Sequence, residues 1–135
     1  MENAGIAAAV DRWFTDNQER VIGWRRHIHS HPELSNEEVA TTDFLVETLE
    51  SYGLHPLRFP GTGLYVDLGP AEGKRLAFRA DIDALRVPEQ TGLGFASSNP
   101  GVSHSCGHDI HTSVALGLAC ALSTVELEHP VRIIF

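Results

Sequence analysis

At Gly53 the apolar pattern of this chain changes period. Before it, apolar residues recur at helical spacing; after it they fall into short runs rich in Leu, Val, Tyr and Phe and bounded by Gly and Pro. Residues 4–29 read as an amphipathic helix with a break near Asp16-Asn17. Pro32 bars helix through His31, and Ser35-Asn36-Glu37-Glu38 offers a fresh N-cap with acids in the first turn. A second helix is therefore expected over residues 36–51, with Gly53 as its stop. Strands follow at residues 54–59, 63–68 and 75–79, the last two separated by the turn Gly69-Pro70-Ala71-Glu72-Gly73-Lys74. Residues 86–105 hold Pro88, Gly92, Gly94, Pro100 and Gly101 with little periodicity and read as a long functional loop. Residues 110–125 suit a helix packed closely on a sheet. Residues 131–135 begin a further strand, buried by its composition. The whole is an α/β pattern.

The chain stops inside that apolar strand, which is expected to leave an unsatisfied edge there, the pattern expected of a truncated sequence. Its 135 residues suit one domain. A net charge of −8 argues against a nucleic-acid or anionic-membrane partner. No run approaches the ~18 apolar residues of a membrane span, and the N-terminus lacks the pattern of a secretory signal. Cys106 lies in a polar loop and Cys120 in an apolar run, so a disulfide between them is not expected, and a reducing cytoplasm is the natural compartment.

Chemistry is concentrated in Ser105-Cys106-Gly107-His108-Asp109-Ile110-His111 and in the acidic turn Arg79-Ala80-Asp81-Ile82-Asp83-Ala84-Leu85. Residues two apart in a looped segment project to one side, so the Cys106 thiolate and the His108 imidazole suit one ion; on spacing alone, a buried thiol beside a helix-capping His-Asp pair is an equal alternative. Asp81 and Asp83, at a strand's carboxyl end, either orient a metal-bound histidine, bind an ion, or cap the following turn. Asp109 is an N-cap or an outer-shell group, and His111 an outer-shell donor. His27 and His31 share helical spacing, but Pro32 and the lack of an intervening glutamate favour a structural role. Cys106 as a nucleophile with His108 as base ranks below metal binding.

Three segments, Arg25-Arg26-His27-Ile28-His29-Ser30-His31-Pro32-Glu33-Leu34-Ser35, the acidic turn, and Cys106-Gly107-His108-Asp109-Ile110-His111-Thr112, together resemble the N-terminal part of the dizinc-type amidohydrolases, which include hippurate hydrolase, N-acyl-amino-acid amidohydrolases, N-acetyldiaminopimelate deacetylase and auxin-conjugate hydrolases. The resemblance implies a three-layer α/β/α zinc-exopeptidase-like catalytic domain, of which residues 1–135 are the N-terminal portion, without the dimerisation domain or the second half. It implies Cys106 and His108 as two metal ligands, Asp83 as an auxiliary catalytic residue, Asp81, Asp109 and His111 around them, and His29, His31 and Glu33 as structural. It further implies two divalent ions in full-length members, zinc or manganese with cobalt or nickel as options, a homodimer, and hydrolysis of the amide bond of small N-acyl amino acids or similar conjugates by metal-activated water. The general-base glutamate expected of relatives lies beyond Phe135. A chain with two ligands and no such base is expected to bind metal weakly and not to hydrolyse, which leaves a non-catalytic remnant or metal-binding module as the alternative.

Overall fold

The structure is a computed structural model and describes residues 3–135. The long N-terminal segment forms α1 (Asn3–Asp16) and α2 (Gln18–Ser30), divided where the sequence placed the break. At the joint the Asn17 side-chain amide donates to the Trp13 carbonyl at 2.9 Å, beside its own backbone N–H at 3.0 Å, so a side chain competes for the carbonyls that would carry the helix on. Aromatic packing then folds α1 against its successors: the Trp13 ring centroid lies 6.4 Å from Trp24 and 6.1 Å from Tyr52.

Helix α3 (Val39–Ser51) begins later than residues 36–51 predicted. Asn36 adopts φ 67°, a left-handed conformation that turns the chain, and Glu37 N–H donates back to the Leu34 carbonyl at 2.9 Å. The Glu33 carboxylate supplies the cap instead, accepting from Ala40 N–H at 3.1 Å and Thr41 N–H at 2.6 Å. Tyr52 ends the helix, followed by Gly53 at φ 73°.

Four strands, β1 (Leu57–Arg58), β2 (Leu64–Leu68), β3 (Leu76–Arg79) and β4 (Val131–Ile134), form one sheet in the order β1-β2-β4-β3. β4 pairs antiparallel with β2, placing Ile133 opposite Val66, and parallel with β3, placing Ile133 opposite Phe78. The edge expected at residues 131–135 therefore lies elsewhere. β4 is interior, and β3 is the exposed margin, with Leu76 68% and Phe78 41% accessible. Nor is β4 uniformly buried: Ile133 is, while Val131, Arg132 and Ile134 are half-buried, because one face of the sheet is open.

On the closed face, Leu64, Val66, Leu68 and Ile133 meet Leu45 and Leu49 of α3 and Ala115, Leu116 and Ala119 of α4 (His108–Leu122) in a single core. The period-2 alternation of β2 sends Tyr65 and Asp67 the other way, where Asp67 takes a two-pronged pair from Arg132 at 2.7 Å. Small residues let α4 approach its neighbours closely: a Cβ on Gly117 would stand 2.6 Å from the Phe14 ring of α1. The hairpin before β2 is equally tight, since Gly63 has φ 83° and a Cβ there would lie 2.6 Å from the Phe135 carbonyl oxygen. The architecture is mixed α/β, a sheet with helices on one face, and among the described residues no helix is long and apolar enough to cross a membrane.

Candidate metal centre

Because β3 and β4 are parallel, both deliver their carboxyl ends to one margin of the sheet, the place where open α/β sheets bind ligands. The chain leaves β3 through Ala80, whose N–H donates to the Ile134 carbonyl at 2.9 Å. Ala80, Ile82 and Ala84 are buried, so Asp81 and Asp83, at the alternate positions, face outward. Opposite them the loop of residues 86–105 brings in Cys106, and Gly107 at φ 89° makes the left-handed corner from which α4 starts.

His108 opens α4 against the acidic turn. Its Nδ1 lies 2.9 Å from both the main-chain carbonyl and the Oδ1 of Asp83, two acceptors that hold the proton on that nitrogen. In the neutral ring this leaves the Nε2 lone pair uncommitted, 4.0 Å from Asp81 Oδ2. The Asp81 carboxylate meanwhile pairs with the exposed Arg79 at 2.9 Å. Cys106 is exposed, two residues from His108 in the same turn. A cleft of about 330 Å³ opens beside the acidic turn and is lined by Glu38, Thr62, Arg79, Asp81, Asp83 and Phe135, among others.

The remaining candidates divide. His111 is exposed one turn along α4, its ring centroid 6.2 Å from that of His108. Asp109 does not cap the helix, because Gly107 occupies the cap position and places Asp109 inside the first turn. Its carboxylate, 1% exposed, turns inward to Arg25 Nε at 2.8 Å and His29 Nδ1 at 2.7 Å. The other nitrogen of His29 lies 2.6 Å from Glu89 Oε1. Burial pushes the Glu89 carboxyl up, but the Thr91 hydroxyl, the His29 ring and the Ser97 N–H together hold it below the usual carboxylate range. Nothing local in the sequence marks Glu89, which sits in an aperiodic loop 60 residues from its partner.

His104, also buried, has no partner for either ring nitrogen, and burial pushes its pKa down to about 4. His27 and His31 stack at 4.6 Å, with Phe44 on the far side of His27 at 4.4 Å, and His31 Nδ1 lies 2.8 Å from the His27 carbonyl oxygen. Both rings remain exposed on the surface of the protein. Among the described residues no group of three or more His, Cys, Asp or Glu is gathered closely enough to hold a metal by itself.

Residues 77–135 match peptidase family M20/M25/M40. Over its full length the chain is 43% identical to an N-acyl-L-amino acid amidohydrolase of Geobacillus stearothermophilus, of which it spans 36%. It is also 48% identical over 88% of its length to a Rhodococcus jostii protein named as a glutamate–cysteine ligase, of which it spans only 15%. Among solved structures it superposes on a dinuclear metal-binding peptidase of the M20 family from Bacillus subtilis with a TM-score of 0.84 and 43% identity, covering 90% of this chain and 35% of that one. The chain thus spans about a third of the length of that amidohydrolase and of that solved peptidase. Its ordered motifs, its sheet and these matches agree in their likeness to peptidase family M20/M25/M40, whose model matches residues 77–135.

Proposed function

We propose that this chain furnishes one side of the metal centre of an amidohydrolase that cleaves the amide bond of N-acyl amino acids or similar small conjugates. The observation that carries the reading is the His108 ring, held through Nδ1 by the main-chain carbonyl and the Oδ1 of Asp83, with Nε2 left for an ion at the carboxyl ends of two parallel strands. The donor chemistry suits a divalent metal: the His108 imidazole has the Asp81 carboxylate 4.0 Å from its Nε2, and the exposed Cys106 thiol lies two residues away along the chain. Zinc or manganese is the ion proposed, with cobalt and nickel compatible with the same donors. When bound, such an ion acidifies a water and polarises the substrate carbonyl.

In this reading Cys106 and His108 are the ligands and Asp83 fixes the ring and its tautomer. Asp81 adds negative charge to the lining of the cleft, Asp109 anchors the first turn of α4 from behind, and His111 stands one turn along α4 from His108. A free thiol at Cys106 suits a reducing cytoplasm. A homodimer belongs to the full-length protein.

The test is release of free amino acid from N-acetyl and N-benzoyl amino acids by the full-length protein supplied with zinc, manganese or cobalt. Chelation and Cys106→Ser are each expected to abolish it, and turnover that survives both would reject the metal reading. The 135-residue chain alone, with two strong donors, is expected to bind these ions weakly and to release no amino acid.

A further inference from the structure

Behind α4 lies a buried charged network that the ligand set does not require. Asp109 follows His108 directly and is the anchor of the first helical turn. Its Oδ2 meets His29 Nδ1 at 2.7 Å, and His29 Nε2 meets Glu89 Oε1 at 2.6 Å, both ends being 8% exposed or less. The second oxygen of Glu89 accepts from the Thr91 hydroxyl at 2.9 Å and the Ser97 N–H at 3.2 Å, so the carboxylate is fully committed. The same loop is tied to the end of α2, where Ser98 donates to the Ser30 carbonyl from its N–H at 2.9 Å and its hydroxyl at 2.6 Å. One continuous run of contacts therefore joins the loop that delivers Cys106 to the turn that carries His108.

Burying two carboxylates and an imidazole is costly, and apolar residues of the same volume would hold a loop to a helix as well or better. What an apolar contact would lack is direction: each hydrogen bond here fixes an orientation as well as a distance. We infer that His29 and Glu89 are positioning residues for the candidate metal centre. They hold Asp109, and with it the first turn of α4, which carries His108 two residues from Cys106. This rests on the metal reading proposed above.

Cobalt binding to the 135-residue chain, followed by the near-ultraviolet absorption of a thiolate–cobalt bond, separates the two ideas, with circular dichroism confirming that each metal-free variant is folded. Cys106→Ser should abolish the band. Glu89→Ala should weaken cobalt affinity about tenfold. Glu89→Gln, whose amide oxygen still accepts from His29, should restore most of that loss, whereas a folded Glu89→Met, which fills similar space without an acceptor, should not; equal rescue by Met would reduce the role to packing and overturn the inference. His29→Gln serves if Glu89→Ala does not fold, with the same tenfold loss expected. A folded Glu89→Ala or His29→Gln with wild-type affinity, while the band still depends on Cys106, would overturn the positioning role and leave the metal reading standing. Absence of a Cys106-dependent band in the wild-type chain even at millimolar cobalt, where weak binding would be populated, would remove the metal reading and this inference with it.

Discussion

His104 is a titratable ring that the fold keeps neutral. Its two nitrogens are buried without partners, and its pKa falls from an ordinary 6.5 to about 4. Between those values the unfolded chain binds the proton and the folded chain does not, so the stabilising contribution is complete above about pH 6.5 and drains away as the pH falls toward 4. The loss should reach about 3 kcal/mol in thermal melts across that range, and His104→Leu should flatten the profile. The thiols make a second contrast: Cys106 is exposed, while burial pushes Cys120 up to about 12. A disulfide reagent at neutral pH should titrate one thiol in the folded chain and two in denaturant; two in the folded chain would contradict the buried setting of Cys120. At this scale the sequence was informative where chemistry is packed into a few residues, as in Cys106-Gly107-His108. It was silent on Glu89 and reserved on Asp109, because their partners stand 60 and 80 residues away and no local pattern records that distance.

Element boundaries follow local chemistry until a distant side chain intervenes. Asn17 divides α1 from α2, and Gly53 follows the end of α3, both features readable from the residues themselves. The start of α3 was misplaced because Asn36 turns left-handed and the cap is Glu33, which lies before the turn and reaches across it. Glu33→Ala should therefore cost about 1–2 kcal/mol in chemical denaturation, the range for a lost helix cap, and Glu33→Gln should recover part of it. A loss no larger than that of a neutral surface substitution would mean that water replaces the carboxylate without penalty. Gly63 should be less forgiving. Gly63→Ala combines a left-handed backbone with a Cβ only 2.6 Å from a main-chain oxygen that cannot swing aside, and about 2–3 kcal/mol is expected. Wild-type stability in this variant would show that the hairpin and the end of β4 can separate freely.

For the whole molecule, the helical layer and the existence of four strands were legible from period and punctuation, but their lateral order was not. Hydrophobic runs show which faces are buried and carry no label for which neighbour a strand takes; the placement of β4 between β2 and β3 depends on contacts across the chain. The result is an exposed β3 with apolar Leu76 and Phe78 along it. Such an edge favours self-association. Sedimentation velocity on the 135-residue chain should show association growing with concentration, and Leu76→Lys, at a position already 68% accessible, should shift it toward monomer without loss of folding. Equal association in both would exonerate the β3 edge. The strand order also sets a timetable. β2 and β3 follow one another along the chain, yet in the finished sheet they never touch, because β4 stands between them. During synthesis, β1 and β2 can close as a hairpin and the helices can form, while β3 waits without a partner until residues 131–134 arrive. Sheet closure is then the long-range, late event, and the rate at which native structure appears should follow the docking of β4 rather than the formation of any helix.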